Sequence, residues 1–591
     1  MIFSTTISQL YAYDSSYFDT EQPNNHTKNL SSIMLNDTDA GLRLLNDVDH
    51  AIIPLIRAAC HKHCVPLSNQ GQKSLIAGGR IFFIGAGSSG RIALQLEAYW
   101  RKLCNEHALE GALHDKVIGI IAGGISAFIR AKEGLEDSFD AGYNAIAGYN
   151  LTSHDTVFAL SASGSASFVH GAAYAALAAQ SACFFVTNTT CSTPAANKLC
   201  ADEATSIVLD VGAQAITGST RLQAATGTQA LLALMLYVMA KNSVHSAQAS
   251  SRLIDQAFDQ LTAATIAIRG AIPSLCTLVE AQVACLAHPD ANFRKLHDES
   301  SIGYVTHLAC NASQEVVTDM VEIVPTFSVT RLRTVHEQGK REEFRVYKLD
   351  AQTNSAAWKS LLNRPLTAHE RDDIQDFIIG GNCDGVHAYH ERPIGAGTVV
   401  IGYIKSNDSS TEQALLLAAL TQAKLKGAHT ALISLKPCMD SIDARIVDTC
   451  IYLPSPSIDC VENLMLKQAL NMITNAVMAK MGKVYGNYMI DLSPSNNKLI
   501  DRAVRIISQL YNQQKKTLPS PPTYDDIQAM LLQVQSYKKQ EHRYMPSIVK
   551  IVLTMLLTNT SCDQAITLLQ DHQENIDRIV ESHSHTAKGA N

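Results

Sequence analysis

The residues best placed to do chemistry lie in RIFFIGAGSSGRIALQLEAYW, residues 80–100. There an apolar run meets Gly85, Gly87, Ser88, Ser89 and Gly90, and a helical pattern starts near Arg91. Glycine lets the backbone close on an anion, and the first turn of a helix adds unpaired N–H groups and the positive end of its dipole. The hydroxyls of Ser88 and Ser89 are further donors. A dinucleotide site shares the GxGxxG spacing, but that fold places an acidic residue at the end of the next strand, about 20 residues on. Here the next apolar run, 117–121, ends in Ala122, Gly123 and Gly124. The serines therefore favour a small phosphate ester over a pyrophosphate. Two further hydroxyl clusters follow. Ser161, Ser163, Gly164, Ser165 and Ser167 stand between an apolar run and a helix, and Thr217, Gly218, Ser219, Thr220 and Arg221 open a later helix. One Ser-rich turn is an ordinary helix cap, but three at the strand ends of one sheet can face one anion.

The elements that must position these loops alternate along the chain. Residues 1–35 read as irregular, and a helical pattern covers 40–64. Apolar runs at 80–84, 117–121, 156–160, 183–186 and 207–211 read as strands, with helical stretches at 91–104, 125–148, 166–181 and 193–200 between them. Such alternation predicts a parallel sheet covered by helices on both faces. Segments 220–242 and 245–290 read as long helices. A second cycle has strands at 302–308, 399–404, 431–433 and 449–452 and helices near 312–322, 411–425 and 461–481, with 330–395 as its least regular part. From 497 onward the pattern is helical, interrupted at 519–522. The predicted fold is α/β: two tandem flavodoxin-like, parallel-sheet domains and a C-terminal all-helical cap. The expected division is an irregular segment at 1–40, domains at 41–265 and 266–490, and the cap at 491–591.

Composition bounds the function. Of 591 residues 46% are hydrophobic and 17% charged, which excludes disordered and fibrous classes, and the net charge of −7 does not suit a general nucleic-acid binder. No apolar run reaches the length of a membrane span, and the N-terminus lacks the basic and apolar regions of a secretory signal. The 14 cysteines follow no framework of spacings, so they read as reduced core residues of a cytoplasmic protein. Cys60, His61, His63 and Cys64 crowd four potential metal ligands into CHKHC. On a helix, however, only the two cysteines share a face, and no second ligand pair lies nearby, so the segment reads as a half-buried helix end without metal. The mixed-charge runs at 340–343 and 370–373 read as solvated faces, and His387, His390, His583 and His585 have no ligand constellation. No cofactor is expected.

Several motifs together resemble one family. IIAGG at 120–124, EGLEDS at 133–138 and TGSTR at 217–221 look like a sugar isomerase (SIS) domain, and more closely like the N-acetylmuramic acid 6-phosphate etherases and the related glucokinase regulatory proteins. The likeness starts at TEQPNN, 20–25, resumes at GKVYGNYMIDLSPSNNKLIDRAVRI, 482–506, and extends through IVKIVLTMLL at 548–557. The resemblance implies a phosphate-ester site formed by Gly87, Ser88, Ser89, Gly90, Ser163, Gly164, Ser165, Ser219 and Thr220. It also implies a phosphate-contacting Lys498 and a catalytic base at Glu136. Two departures stand out: the family's general-acid glutamate falls on Tyr99, and the lysine shortly after TGSTR falls on Gln223. Glu97 lies two residues from Tyr99, on another face of the helix, and cannot replace the acid. In the second half, however, DMVEIVPTF at 319–327 resembles the etherases' own helix end, which puts Glu322 where the first half has Tyr99. The loop before it, LACNASQ at 308–314, has no glycine and is not expected to hold a phosphate. The two halves thus look like a diverged duplication, with Glu322 reaching the ligand across their interface.

The duplicated layout resembles the regulatory proteins. The leading expectation is a regulator that binds a hexose 6-phosphate, such as fructose 6-phosphate or an amino-sugar 6-phosphate, and modulates a glucokinase-type sugar kinase. The alternative is a carbon–oxygen lyase of amino-sugar metabolism, an etherase releasing D-lactate with Glu136 as base and Glu322 as acid. A sugar-phosphate isomerase using the same pair is the third expectation.

Overall fold

The computed structural model describes residues 18–130, 132, 134–190, 193–241, 247–287, 303–329, 332, 334, 343–374, 376–380, 394–437, 446–492, 494, 497–514, 521–541 and 545–588. Two five-stranded parallel sheets organise it. In the first, β1 (Ile81–Gly85), β2 (Val117–Ile121), β3 (Thr156–Leu160), β4 (Ala182–Thr187) and β5 (Thr205–Val208) pair in the order β2-β1-β3-β4-β5. In the second, β6 (Val305–Ala309), β7 (Phe344–Lys348), β8 (Val399–Ile404), β9 (His429–Ser434) and β10 (Thr449–Tyr452) pair in the order β10-β9-β8-β6-β7. Counted from the other edge, this is the same flavodoxin-like arrangement. The register repeats too: Ile81 lies between Val117 and Thr156, and Val305 between Phe344 and Val399. In both sheets the order reverses beside the first strand, which creates a ligand crevice at the carboxyl ends of β1 and β3, and of β6 and β8. These four strands are buried along their whole length, as continuous apolar runs require.

Before the first sheet come α1 (Leu30–Asn36), α2 (Thr38–Ala51) and α3 (Ile53–Ile76). Around it pack α4 (Gly87–Glu106), α5 (Phe139–Ala147), α6 (Ser167–Ala178), α7 (Pro194–Ala201), α8 (Gln223–Lys241) and α9 (Ala247–Gly270), whereas α10 (Ile272–Leu286) packs against β6, β8 and β10 of the second sheet. The second sheet carries α11 (Ser313–Phe327), α12 (Asn354–Leu362), α13 (Ala368–Ile374), α14 (Ser410–Leu425) and α15 (Asp459–Lys480). The hairpin β11 (Val484–Tyr485) and β12 (Tyr488–Met489) then leads to the terminal helices α16 (Asn497–Gln514), α17 (Tyr524–Gln540), α18 (Ile548–Thr558), α19 (Cys562–Asp571) and α20 (Ile576–Lys588). Leu94 and Phe128 of the first half share one apolar cluster with Val305 and Met465 of the second and Val549 of the terminal helices. The halves are therefore packed through a common core.

The structure departs from the sequence expectations in five places. Helix starts at Leu30, inside the segment expected to be irregular, because Leu30 and Met34 are fully buried. The helix expected over 125–148 is a short turn at Ile125–Phe128 and then α5, which begins only where Ser138 accepts the Ala141 N–H. Segment 330–395, expected to be irregular, supplies strand β7 and helices α12 and α13, since FRVYK buries nearly all of its residues at the edge of the second sheet. CHKHC lies within α3 and not at its end. Cys60 and Cys64 face the core, His61 Nε2 lies 2.9 Å from Asp255 Oδ1, and no group of three or more metal-ligating side chains occurs among the described residues. Finally, α8 is long and apolar enough to cross a membrane, against the expectation of no such stretch, but 94% of its apolar window is buried inside the fold.

Candidate functional site

Gly85 ends β1 and α4 begins two residues later, so the chain must turn within the width of the strand. A Cβ on Gly85 would lie 2.6 Å from the Ser89 carbonyl carbon, and one on Gly90 would lie 2.5 Å from Ile121 Cγ1. Gly87 turns with φ +52°, a left-handed conformation that glycine adopts readily. The glycines thus press the loop onto the sheet, and Ser88 and Ser89, both half-buried, occupy the first turn of α4.

The second loop leaves the neighbouring strand β3. Gly164 has φ +70°, its N–H donates to the Ser161 carbonyl at 3.0 Å, and Ser163 Oγ lies 2.7 Å from Ser165 Oγ. His170 braces this turn with Nε2 2.8 Å from the Gly164 carbonyl; burial lowers its pKa to about 4, so the ring is neutral and Nε2–H donates. The backbone of Glu136 is tied to the start of α6, its main-chain carbonyl accepting the Phe168 N–H at 3.0 Å.

TGSTR forms the third wall, and it is held by the same segments that carry the family resemblance. The Thr217 N–H donates to Asn487 O, and the Gly218 N–H to Thr20 O. Asn487 Nδ2 donates to Asn24 O at 2.9 Å. A Cβ on Gly218 would lie 2.7 Å from Glu21 Oε2, and that carboxylate accepts Arg502 Nε of α16 at 2.9 Å. Ser219 Oγ and Thr20 Oγ1 are buried without a partner among the described residues. Thr220 is half-buried beside them. Lys498 stands in the first turn of α16, but its side chain lies outside the described residues.

The halves meet here through α4 and α11, which cross with Gln95 Nε2 donating to Thr318 Oγ1 at 2.9 Å. One turn away on each helix are Arg91 and Glu322, both buried, and the Glu322 carboxylate supports the Arg91 charge against the burial that lowers its pKa. Beside them Arg221 is fully enclosed, donating to Asp319 Oδ1 and Asn475 Oδ1, each at 2.7 Å. Tyr99, at the expected acid position, is buried next to Cys460 and not in this cluster. Glu97 is structural, held by Arg364 at 2.6 Å and by the Gly119 N–H at 2.9 Å.

The sequence reading missed Lys467. It projects from α15 and donates to the carbonyl of Arg221 at 2.8 Å, to Thr226 Oγ1 at 3.0 Å and to Asn471 Oδ1 at 2.9 Å. Gln223, which stands in place of the family lysine, is occupied by the Ala215 N–H and Asp49. A lysine from the second half therefore reaches the end of TGSTR where the local lysine is lost. Burial pushes its pKa down to about 8, against the pull of Glu322 and Asp49. The signal was present in LMLKQALNM, a charge among core residues of a buried helix.

The second switch point is built differently. The Asn311 N–H and Nδ2 donate to Asp408 Oδ1 at 3.2 and 2.7 Å, and Lys348 Nζ donates to the Cys310 carbonyl at 2.9 Å. The loop without glycine is closed by the protein's own carboxylate.

Two parallel five-stranded sheets with hydroxyl-rich strand ends on the first are the architecture of a SIS-domain protein. The family model of the glucokinase regulatory protein N-terminal SIS domain matches residues 62–177. The N-acetylmuramic acid 6-phosphate etherase of Nostoc punctiforme is 34% identical over 195 residues, 33% of this chain and 59% of that protein. That of Francisella tularensis is 32% identical over 225 residues, 38% of this chain and 71% of that protein. The chain belongs to the N-acetylmuramic acid 6-phosphate etherase family, although it spans only 59% and 47% of the Nostoc punctiforme and Bacillus subtilis members. The crystal structure of tagatose-6-phosphate ketose/aldose isomerase from Escherichia coli is similar at 11% identity and a TM-score of 0.42, over 79% of this chain and 97% of that one.

Proposed function

We propose that the chain binds a 6-phosphorylated amino sugar at the end of the first sheet and cleaves its lactyl ether. It is then a cytoplasmic carbon–oxygen lyase of the N-acetylmuramic acid 6-phosphate etherase type. The observation that carries this reading is the Glu322 carboxylate from the second half, set against Arg91 at the start of α4. Glu136, the residue matching the family's base, has its backbone anchored to α6 just after the Ser163–Ser165 turn. Ser88, Ser89, Ser163, Ser165, Ser219 and Thr220 donate to the phosphate, Gly87, Gly90 and Gly164 let the backbone approach it, and Lys498 adds its charge from α16. Glu136 takes the proton from the carbon next to the sugar's carbonyl. The electron pair released forms a carbon–carbon double bond, the neighbouring carbon–oxygen bond breaks, and Glu322 gives its proton to the departing lactate oxygen. Water then adds across the double bond, hydroxyl to the carbon that lost lactate and proton to its neighbour, leaving an unsubstituted amino-sugar phosphate.

A second reading rests on a separate observation. The Glu322 carboxylate supports the charges of two cations at the site, Arg91 and Lys467, and so can hold charge and accept hydrogen bonds from ligand hydroxyls. In that reading the site senses a hexose 6-phosphate and the chain modulates a sugar kinase. Measuring D-lactate release and sugar-phosphate affinity in the wild type, Glu136→Gln and Glu322→Gln separates the two. The lyase releases lactate, and each variant loses about 10²–10⁴-fold in rate. Tight binding without lactate, weakened in Glu322→Gln, replaces the lyase with the regulator. Unchanged affinity and rate in Glu322→Gln removes the carboxylate from the site.

A further inference from the structure

The crossing of α4 and α11 has two ends. At one, the start of α4 faces Glu322. At the other, the start of α11 faces Tyr99, and there the halves enclose a second cavity of about 260 Å³. It lies at the switch point of the second sheet, over Cys310 and Asn311 after β6, Lys348 of β7, and Lys405 and Asn407 after β8. By topology it is the counterpart of the phosphate site, but its chemistry differs in three respects.

The anion position is already filled, since Asp408 accepts the Asn311 N–H and, at 2.7 Å, the Lys405 N–H. The charges lining the cavity also cancel. Lys102, Lys348 and Lys405 stand against Glu106, Glu315 and Asp459, and each lysine is engaged: Lys102 with Asp459, Lys348 with Asp350 at 2.8 Å, and Lys405 with Glu315 at 3.5 Å. Lastly, three acceptors in its wall have no partner among the described residues: Oε1 of Gln229, 8% exposed, Oε2 of Glu315, 6% exposed, and Oδ2 of Asp459. Unpaired buried acceptors call for donors from a ligand or water. Around them the amides of Gln95, Gln314, Asn363 and Asn463 can both donate and accept. The rim at Asn105, Glu106 and Asn407 is exposed, so the cavity can be entered.

We propose that this cavity binds an uncharged polyhydroxylated molecule, a free monosaccharide or sugar alcohol, at a site separate from the phosphate loop. Hydroxyls supply the donors that Gln229 and Glu315 lack and pair with the surrounding amides. A phosphate would meet Asp408 where it needs N–H groups. The volume is about nine times the roughly 30 Å³ share of one liquid water, the scale of a single sugar ring.

Calorimetric titration of the full chain with glucose, N-acetylglucosamine and sorbitol tests this, alongside N-acetylglucosamine 6-phosphate as the ligand of the first site. At least one neutral probe should bind with one site per chain. Its dissociation constant should rise about tenfold in Gln229→Met, which keeps the side-chain size and removes the acceptor. Glu315→Gln should weaken the same probe, and Ser89→Trp, which blocks the phosphate loop, should leave it unchanged while abolishing 6-phosphate binding. The proposal is overturned if no neutral probe binds, if neutral binding disappears in Ser89→Trp, or if both Gln229→Met and Glu315→Gln bind it like the wild type. Because Ser89→Trp reports on the phosphate loop alone, failure of the first site and failure of this one give different patterns.

Discussion

The loop after β1 and the loop after β6 occupy the same place in two sheets of identical strand order, yet they are closed by different residues. After β1 the backbone turns through Gly85, Gly87 and Gly90, and the serines of the first turn keep their donors available. After β6 the sequence is Cys310, Asn311, Ala312 and Ser313, and the turn is satisfied internally by Asp408 and Lys348. The carboxylates are distributed the opposite way: α11 brings Glu322 to the first loop, whereas α4 brings Tyr99 to the second. Topology supplies two crevices, and individual residues decide what each can hold. The difference also makes the halves interdependent, because the glycine-serine loop lies in one and the carboxylate facing Arg91 in the other.

The largest effect should come from disturbing the loop after β1. In Gly90→Val the added atoms meet Ile121 and the Gly85 carbonyl, so the loop must lift from the strand. Losing even one or two charge-assisted hydrogen bonds, at about 1.5–3 kcal/mol each, lowers sugar-phosphate affinity by about 100-fold. The matching change in the second half, Asn311→Ala, removes a donor from Asp408. It should reduce unfolding free energy by about 1 kcal/mol and leave phosphate affinity unchanged. Titration and urea unfolding of both variants decide the point, and comparable affinity losses would break the contrast between the loops.

Much of this was legible in the sequence: the fully buried strands β3 and β8 are continuous apolar runs at 156–160 and 399–404, and the partly exposed β2 and β10 still coincide with the apolar runs 117–121 and 449–452. Strand β7 was hidden, since FRVYK has two cations in five residues and becomes apolar in effect only when Lys348 is tied to Asp350 and Arg345 stacks on Tyr304. The hydroxyl-rich loops were visible as local patterns. Lys467 was visible as a charge within LMLKQALNM, but its partners and the Arg221–Asp319 pair were not, because they join residues far apart in the chain and no spacing rule connects them. The second cavity was hidden for the same reason: its walls come from both halves.

Two lysines sharpen the comparison with a smaller effect. Burial leaves Lys467 with a pKa of about 8, whereas Lys405 is held above the ordinary lysine value by Glu315, Asp459 and Glu462. Between pH 7 and pH 9 Lys467 therefore loses its charge and Lys405 keeps it. Sugar-phosphate affinity should fall by up to about tenfold over that range in the wild type, the share of one charged donor. Lys467→Met should start lower and show no such slope, while Lys405→Met should keep it. A slope that survives in Lys467→Met would assign the titration elsewhere.

The smallest effect tests whether the two halves, so different at their strand ends, share the same frame. Each buries a neutral histidine. His170 braces Gly164 in the first, and in the second His307 lies with Nδ1 2.8 Å from the Tyr403 hydroxyl. Burial lowers their pKa values to about 4 and about 3. In the unfolded chain histidine titrates near 6.5, at about 1.4 kcal/mol per pH unit of difference. As pH falls below about 6.5 the unfolded chain takes up protons that the folded chain refuses, so stability is intact above that pH and declines below it, towards about pH 3. At pH 5.5 each histidine should account for about 1 kcal/mol of lost stability. Urea unfolding at pH 7.5 and pH 5.5 reads the difference directly. His170→Phe and His307→Phe each begin less stable, having lost a hydrogen bond, but each should remove about 1 kcal/mol from the gap between the two pH values. If only one variant narrows the gap, the halves differ in their frames as well as at their strand ends, because one histidine must then be reached by water when the other is not.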